Sequence, residues 1–409
     1  MKTARRIPLT VLALVVLLVG GGFAWSAWTG RPQGTPQAVE LDQACISDRL
    51  ASATVLGFGE ATHGTHEFRA AFLSVAQQLA DRGFTTIALE EDAGSVTRVD
   101  AWVQGGPGTV EDALAAFGFR LSRNREMADL LTWARAHNEG RPDAERIRLH
   151  GIDFQRPEAD KAVALDWLAD HDPAAATRLE TDLAGMDDDS HYDPTRSEAF
   201  RPAADELARV VDATAGDSTE EAAVRAVLAA KALARGAERG ASGLHSHERD
   251  RLMADQLADL VALRARQGSD HTLLFAHNGH VDRTPQASLA LGTNLGQHAA
   301  RMWGDGYRVI GTDARHVSLL DGGKTHGFTV NSPVRGLFAG TSVGYLEFAD
   351  ASEQNRAVLD ATFPAPSAGS PFAAWQAWVP FFHEVPTTPT QAFDALIYVE
   401  RTTPVTAAG

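Results

Sequence analysis

The chain has 409 residues, of which 44% are hydrophobic, and it contains one cysteine. This length allows one large core or two smaller ones, and a single cysteine excludes a small fold held together by disulfides. The formal charge of -16 repels phosphate backbones, so we expect no nucleic-acid partner. The cysteine, Cys45, has no basic neighbour and is expected to be a small buried hydrophobic residue rather than a nucleophile.

The N-terminus has the composition of an export segment. Basic residues at positions 2, 5 and 6 precede an uncharged stretch over residues 7–28. This pattern is typical of a signal peptide cleaved after about Ser26, or of a retained anchor, because the stretch is long enough to span a bilayer. In both cases the folded part is expected outside the cytoplasm, periplasmic or extracellular, with membrane contact only through residues 7–28.

Short apolar runs alternate with long helical patterns after the export segment (1–28) and a Pro- and Gly-rich stretch predicted to be a linker (29–40). The folded domain is expected to span residues 41–409. The alternation predicts an α/β fold with a central sheet flanked by helices. The predicted buried strands are residues 55–58, 85–89, 147–152, 272–276, 307–311 and 395–399.

The interval between the third and fourth predicted strands has no strand pattern and is rich in Ala, Leu, Arg and Glu. It is too long for an ordinary crossover connection between strands. We therefore predict that residues 160–268 form an inserted helical subdomain packed over one end of the sheet. A cleft that holds the active site is expected where the helices meet the sheet.

Carboxylates and imidazoles follow three of the predicted strands. Glu60 and His63 follow the first strand, Glu90 follows the second, and His277 and His280 follow the fourth. Ligands of open α/β sheets bind at the carboxyl ends of the strands, so we expect these side chains to lie together. A carboxylate three residues from an imidazole can orient the ring and raise its basicity, which favours Glu60 and His63 as the central pair.

The cluster leaves several kinds of chemistry open. Without a metal, one imidazole would deprotonate water while the others polarise a carbonyl or protonate a leaving group. The same side chains would also suffice for a metal-dependent hydrolase, although two histidines four residues apart on a helix are absent. An exported protein that binds a ligand without turnover is a further alternative. In a purely structural interpretation, Glu60 caps a helix and His63 lies in a turn.

A nucleophile-elbow pattern occurs at residues 340–344, where Ser342 lies between glycines. Asp360 and His383 follow in the chain order that α/β-hydrolases use. The elbow needs a helix after its serine, but the residues after Ser342 have a strand pattern. We therefore predict a glycine-rich turn rather than a catalytic serine.

Six motifs together resemble the erythromycin esterase family of macrolide-inactivating hydrolases, some of whose members carry a succinoglycan-biosynthesis label. The resemblance covers essentially the whole chain after the export segment, and the ordered combination of the first, second and fifth motifs is specific. The motifs are GEATHGTHEF at 59–68, IALEED at 87–92, HGIDF at 150–154, RDRLMADQL at 249–257, FAHNGHV at 275–281 and FDALIYVERT at 393–402.

This resemblance implies that the chain opens a macrolide lactone or a related ester by hydrolysis, without a covalent intermediate and without a metal or other cofactor. It implies a small-molecule ester or macrolide as the partner, and it predicts no particular oligomeric state. By motif position, His63 corresponds to the general base and Glu60 to the glutamate that orients it. Glu90 corresponds to a second acid, and His277 and His280 to the paired histidines of the family.

One position departs from the family pattern. The family often carries an arginine about nine residues after the motif histidine, where this chain has Phe72. Arg69 lies one helical turn earlier, and we predict that it contacts the substrate. The other predicted substrate contacts are His66, Asp153 and Asn278.

Overall fold

The computed structural model describes residues 31–243, 246–284 and 292–408. The predicted export segment, residues 1–28, lies outside the described residues. No helix in the described ranges is long and apolar enough to cross a membrane.

The strands form one large sheet and a small hairpin. In chain order they are β1 (Val39–Glu40), β2 (Val55–Glu60), β3 (Thr86–Asp92), β4 (Arg148–Asp153), β5 (Thr272–His277), β6 (Tyr307–Asp321), β7 (Lys324–Thr329), β8 (Val343–Glu347), β9 (Phe363–Pro366), β10 (Glu384–Thr387) and β11 (Ala395–Arg401).

The large sheet has the strand order β1-β8-β11-β6-β2-β5-β3-β4 within the described residues, and β7 pairs with β6 beside this path. The six strands from β11 to β4 are parallel, and they include all six predicted runs. Strands β1, β7 and β8 pair in the antiparallel direction. An α/β fold with a central sheet is therefore confirmed.

Helices cover both faces of the sheet. Helix α2, for example, begins directly after the turn that follows β2 and buries Phe68, Phe72, Val75 and Leu79, which recur every three to four residues. In chain order the helices are α1 (Asp48–Ala51), α2 (His66–Ala80), α3 (Ala93–Val103), α4 (Val110–Ala115), α5 (Arg125–Asn138), α6 (Pro157–His171), α7 (Pro173–Asp182), α8 (Pro194–Ala215), α9 (Glu221–Ala241), α10 (Ser246–Arg266), α11 (Asn278–Val281), α12 (Leu295–Trp303), α13 (Glu353–Leu359) and α14 (Pro389–Ala392).

Helices α6 to α10 occupy the interval between β4 and β5 that was predicted to be helical. They enclose an apolar cluster of their own, with Leu168, Leu207 and Leu233 fully buried in it. Three other clusters lie against the sheet in the described part of the chain. The helical insertion thus has a separate packed interior and adjoins the sheet on one side.

Side chains close the β4 edge of the sheet. Asn138 accepts a hydrogen bond from the Ile147 N–H at 2.7 Å and donates one to the Ile147 carbonyl at 2.9 Å. Asp100 accepts from the Leu149 N–H at 2.8 Å, and Arg225 donates to the Leu149 carbonyl at 3.3 Å. At the opposite edge, β1 is only two residues long.

Two details differ from the sequence predictions. Cys45 is exposed, because its neighbours Ala44 and Ile46 are the residues that point into the core. The described part of the predicted linker lies against the body of the protein: Thr35 donates its N–H to Asn355 at 2.9 Å, and β1 pairs with β8. Ordered contacts with the sheet therefore begin before residue 41.

Candidate active site

A cavity of about 1210 Å³ lies at the carboxyl ends of the parallel strands, where the sheet meets the inserted helices. Several segments line it, including residues between Glu111 and Met127 and C-terminal residues between 405 and 408. The strand ends contribute Glu60, Glu90, Glu91 and His277, the inserted helices and their loops contribute Arg156, Tyr192, Arg239 and Arg249, and two glycine-containing turns contribute Leu320–Gly323 and Gly369–Pro371.

The turn after β2 places His63 on the cavity wall beside Glu60. The His63 ring donates its Nδ1–H to Oε1 of Glu60 at 2.7 Å, which leaves Nε2 as the nitrogen available to a water molecule in the cavity. Gly64 makes this turn possible, because it has a φ of +74° and a Cβ there would lie 2.1 Å from the Leu320 carbonyl oxygen. An acid–imidazole pair of this kind can activate water.

Arg69 keeps the glutamate of this pair ionised. Its Nη2 lies 3.4 Å from Oε1 of Glu60. Burial acts to raise the pKa of Glu60, but Arg69 and the hydrogen bond from His63 hold that pKa below its ordinary value. Nε and Nη1 of Arg69 are buried and have no hydrogen-bond partner among the described residues. These two N–H groups lie behind the cavity wall, so Arg69 acts on a bound molecule through the charge of its guanidinium.

Phe72, at the position where the family often has arginine, belongs to the core. Its ring stacks on Phe275 with centroids 4.4 Å apart and meets Phe58 edge-on at 5.4 Å. The Arg69 guanidinium lies over the same Phe275 ring, 5.8 Å from its centroid. In this chain, Arg69 is the arginine of helix α2 that lines the cavity.

Arg249, at the start of α10, joins two strand ends. Its Nη2 donates to Oε1 of Glu90 at 2.9 Å and also to Oδ2 of Asp153. Burial acts to raise the pKa of Glu90, but His280 and Arg249 hold it well below its ordinary value. The other oxygen of Glu90 accepts the His277 backbone N–H at 2.9 Å. Glu90 thus connects β3, β5 and α10 through charge-assisted hydrogen bonds.

His280 is held between two carboxylates. Its Nδ1 lies 2.5 Å from Oδ1 of Asp250, and its Nε2 lies 3.2 Å from Oε1 of Glu90. Burial acts to lower the pKa of His280, but Asp250 and Glu90 raise it to about 10. The ring is therefore protonated at neutral pH and donates from both nitrogens. Since Nε2 carries a proton, its 3.3 Å approach to Nη1 of Arg249 is not a hydrogen bond.

His277 has the opposite protonation state. Its Nε2–H donates to the Ala61 carbonyl at 3.0 Å, and its Nδ1 accepts the Gly279 N–H at 3.1 Å. Burial and the neighbouring rings of His63 and His280 lower the pKa of His277 to about 3. The ring is neutral and both of its nitrogens are used by the backbone.

The structure separates the predicted substrate contacts. Arg69 lines the cavity, whereas the other three residues lie outside its wall. His66 is bonded through Nδ1 to Glu126 at 2.7 Å, and Asp153 is completely buried under Arg249. Asn278 donates to the Thr312 carbonyl at 2.8 Å and holds the ends of β5 and β6 together.

Three further residues of the site were not singled out individually in the sequence. Arg249 and Asp250 begin the RDRLMADQL motif. The sequence signal that could have indicated them is an arginine followed by an acid near the start of a predicted helix. Glu91 lines the cavity next to Glu90, where it accepts the Phe119 N–H at 3.2 Å. Burial raises the pKa of Glu91 to about 8.

Two alternative sites were also compared with the structure. Among the described residues, no three or more His, Cys, Asp or Glu side chains are grouped so that they could hold a metal ion. Ser342 directly precedes strand β8 and no helix follows it, so the elbow geometry is absent there. His383, its proposed partner, donates its Nδ1–H to the Gln376 carbonyl at 2.9 Å and packs on Phe328.

The fold and the site define a class of protein: an α/β enzyme with an acid–imidazole pair at the carboxyl ends of its parallel strands, as in a hydrolase that activates water. The sequence profile of the erythromycin esterase family matches residues 79–402. The chain belongs to the erythromycin esterase family and is a hydrolase of that family. The matched range includes Glu90, His277 and His280, whereas Glu60 and His63 precede it.

Solved structures share the fold across nearly the full chain. A protein from Bacillus cereus has a TM-score of 0.75 at 18% identity, covering 95% of this chain and 99% of its own. A succinoglycan biosynthesis protein has a TM-score of 0.74 at 17% identity, covering 96% and 99%. A histidine-to-asparagine mutant of the erythromycin esterase EreC, in its open conformation, has a TM-score of 0.61 at 18% identity, covering 91% and 98%.

Proposed function

We propose that this chain hydrolyses a lactone or related ester of macrolide type, with water as the nucleophile and His63 as the general base. The observation that carries this proposal is the 2.7 Å bond from His63 Nδ1 to the ionised Glu60, which leaves Nε2 for a water in the cavity. Glu60 fixes the tautomer and the orientation of the ring.

The remaining charged groups have separate roles in this mechanism. As His63 removes a proton from water, the oxygen of that water bonds to the ester carbonyl carbon. The positive charge of the Arg69 guanidinium, which borders the cavity, stabilises the negative charge that develops on the carbonyl oxygen. When the acyl C–O bond breaks, the alkoxide takes the Nε2 proton that protonated His280 shares with Glu90, and the proton held by His63 returns through solvent to His280, which restores both rings. Glu90 and Asp250 orient His280 and keep it charged.

His277 acts as a positioning residue in this scheme. Burial and its neighbours lower the pKa of His277 to about 3, so the ring is neutral, and its Nε2–H is held by the Ala61 carbonyl; it therefore has no acidic proton to give to an alkoxide. Its contact with the Ala61 carbonyl fixes the turn that carries His63, and the two rings lie 5.0 Å apart between centroids. We therefore assign the proton transfers to His63 and His280.

The size of the cavity supports a large substrate. Pockets for drug-sized ligands usually measure about 300–1,000 Å³, and this cavity of about 1210 Å³ exceeds that range. The similarity in fold to the erythromycin esterase EreC also supports a macrolide as the proposed substrate. We also propose that the enzyme works outside the cytoplasm, because residues 7–28 have the composition of an export segment.

Hydrolysis of erythromycin by the purified protein tests this proposal. The expected product carries one additional water, detected by mass spectrometry. His63→Ala should lower turnover by about 10²- to 10⁴-fold, which is the usual contribution of general-base assistance. His66→Ala is the matched control, because this histidine is bonded to Glu126 outside the cavity wall and should leave turnover unchanged.

Other results would contradict particular parts of the proposal. A loss of only a few fold in His63→Ala would exclude its role as the base. Activity that disappears with a chelator and returns with Zn²⁺ would favour a metal-dependent hydrolase. Binding of erythromycin without turnover by folded protein would favour a ligand-binding protein, and no binding would exclude this macrolide as the substrate.

A further inference from the structure

Residues 361–383 form a surface segment without formal charge. Charged residues make up 22% of the chain, so a segment of this length would carry about five on average, but this one has no Asp, Glu, Lys or Arg. It presents four aromatic side chains, which we call the aromatic patch. Their exposed fractions are 56% for Trp375, 78% for Trp378, 63% for Phe381 and 37% for Phe382.

The aromatic patch is the outer side of a packed segment. On the inner side, Phe372 packs on Phe328 of β7 with ring centroids 5.7 Å apart, and His383 packs on the same ring at 4.3 Å. On the outer side, the Phe382 ring contacts Trp375 at 4.7 Å and Phe381 at 5.3 Å. Residues 372 and 383 are thus fixed to β7, and between them the exposed rings of Trp375 and Phe381 both contact the exposed ring of Phe382.

This surface adjoins the cavity. Residues Gly369–Pro371 line the cavity, and Asp321, on the same wall, accepts hydrogen bonds from the Ser370 hydroxyl at 2.6 Å and the Phe372 N–H at 2.8 Å. Trp375 follows Pro371 by four residues, so its Cα lies within about 14 Å of that wall. A molecule or surface that binds the aromatic patch is therefore held near the substrate cavity.

We propose that the aromatic patch docks on the interfacial region of a zwitterionic lipid bilayer. Tryptophan favours this region, because its ring leaves water while the indole N–H stays hydrated, and phenylalanine adds an apolar ring that is buried beside it. The absence of charge in the segment removes the cost of bringing ions toward hydrocarbon.

The sequence provides an independent reason for a membrane partner. Residues 7–28 are uncharged and follow basic residues, as in a membrane-inserted segment. A chain held at a bilayer by that segment presents the aromatic patch at a high effective concentration beside the lipid. The docked orientation brings the cavity close to apolar esters dissolved in the membrane. This inference does not depend on which ester the enzyme cleaves.

Fluorescence quenching by lipid tests the contact directly. The full-length protein is mixed with phosphatidylcholine vesicles that carry bromine on the acyl chains, which quench tryptophans that enter the bilayer. Trp375→Phe with Trp378→Phe keeps the surface aromatic and should remove part of the quenched emission. Trp25 and Trp28 are present in both proteins, so the difference reports on the aromatic patch. Equal quenching in the two proteins would overturn the proposal.

Vesicle partitioning gives a second test. Replacing Trp375, Trp378 and Phe381 by serine together should weaken binding to phosphatidylcholine vesicles by about tenfold or more. Met302→Ser is the matched control, since Met302 is 44% exposed on α12, and it should not change binding. Circular dichroism checks that the variants are folded.

Two other outcomes would also overturn the proposal. If the triple variant raises KM for a soluble ester but binds vesicles as the wild type does, the aromatic patch belongs to the substrate path. If it changes the sedimentation of the protein from a larger to a smaller species and leaves vesicle binding unchanged, the occupant is a second copy of the chain.

Discussion

Glu91 and Glu90 are adjacent on β3 but have opposite electrostatic surroundings. Glu90 meets Arg249 and His280, whereas Glu91 is buried against the Phe119 N–H with Asp153 nearby. The pKa of Glu90 is therefore lowered, and burial raises that of Glu91 to about 8. Sequence proximity alone could not distinguish the two acids, because their partners come from distant segments.

Glu91 leads to a prediction about stability and pH. The folded protein keeps a proton on Glu91 that the unfolded chain releases, so the stabilising contribution is complete below the ordinary pKa of 4.5 and is lost as pH rises through about 8. Glu91→Gln stays neutral and should remove this dependence. The melting temperature of the wild type, relative to the variant, should fall between about pH 5 and pH 8.

Melting curves at several pH values measure this difference. Glu111→Gln, at an exposed position on the same cavity wall, is the control. A difference between wild type and Glu91→Gln that is constant with pH would contradict the protonated state of Glu91.

Phe72 gives a second prediction at the scale of one residue. Phe72→Arg would restore the residue type common in the family, but it would bury a guanidinium among Phe58 and Phe275, close to Arg69. We expect a loss of about 3–5 kcal/mol in the free energy of unfolding, as for other uncompensated buried charges. Phe72→Leu should lower the free energy of unfolding by less than Phe72→Arg does. Urea unfolding of both variants measures the difference. Equal stability of wild type and Phe72→Arg would show that the site can accommodate a second arginine.

At the scale of elements, helix α10 connects the inserted helices to the sheet through Arg249. Arg249→Ala would leave the completely buried Asp153 without its cation and would leave Glu90 with His280 alone, which should cost about 3–5 kcal/mol of unfolding free energy. Arg251, on the same helix, pairs with Glu238 and other acids at a more exposed position. Arg251→Ala should therefore cost about 0–1 kcal/mol.

Urea unfolding of the two arginine variants measures this contrast. Similar midpoints for Arg249→Ala and Arg251→Ala would contradict a structural role for the connection between α10 and the strand ends. The structure makes this pair of arginines distinguishable, whereas in the sequence they are two basic residues of one motif.

The elements show why some strands were predicted and others were not. Central parallel strands are buried on both faces and form continuous apolar runs, so all six were recognised. Strand β6 continues to Asp321, ten residues beyond its predicted end, because its second half alternates buried and exposed residues and pairs with β7. Strands β9 and β10 contain proline and are only four residues long. Their sequences therefore show neither a continuous apolar run nor a clear alternation of apolar and polar residues.

The site residues also divide into those that the sequence predicted and those that it did not. Its members at strand ends, Glu60, Glu90 and His277, were predicted because topology alone brings such positions together. Arg249 reaches Asp153 across 96 positions of sequence, and this contact depends on how α10 packs. Spacing along the chain contains no information about that packing, so the partners of Glu90 and His280 required the structure.

At the scale of the whole molecule, the inserted helices have a packed interior separate from the clusters at the sheet. Leu207 is completely buried in that interior. Leu207→Ala should lower the free energy of unfolding by about 2–5 kcal/mol through loss of apolar contacts and formation of a cavity. Turnover well below the melting temperature should remain unchanged, because the strand ends are not affected.

Thermal unfolding and steady-state kinetics on the same samples test this expectation. Asp205→Ala, an exposed position on the same helix, is the control and should change stability little. A fall in turnover in Leu207→Ala at low temperature would show that the helical interior is coupled to the catalytic groups.

The closed edge at β4 affects how the protein behaves at high concentration. Unpaired backbone groups at the end of a sheet can template another chain, which leads to ordered aggregation. Asn138, Asp100 and Arg225 already occupy the outward N–H and carbonyl groups of Ile147 and Leu149, and the opposite edge offers only the two residues of β1. An incoming strand therefore finds no continuous row of free donors and acceptors along Ile147–Leu149, so the β4 edge resists intermolecular β-sheet growth.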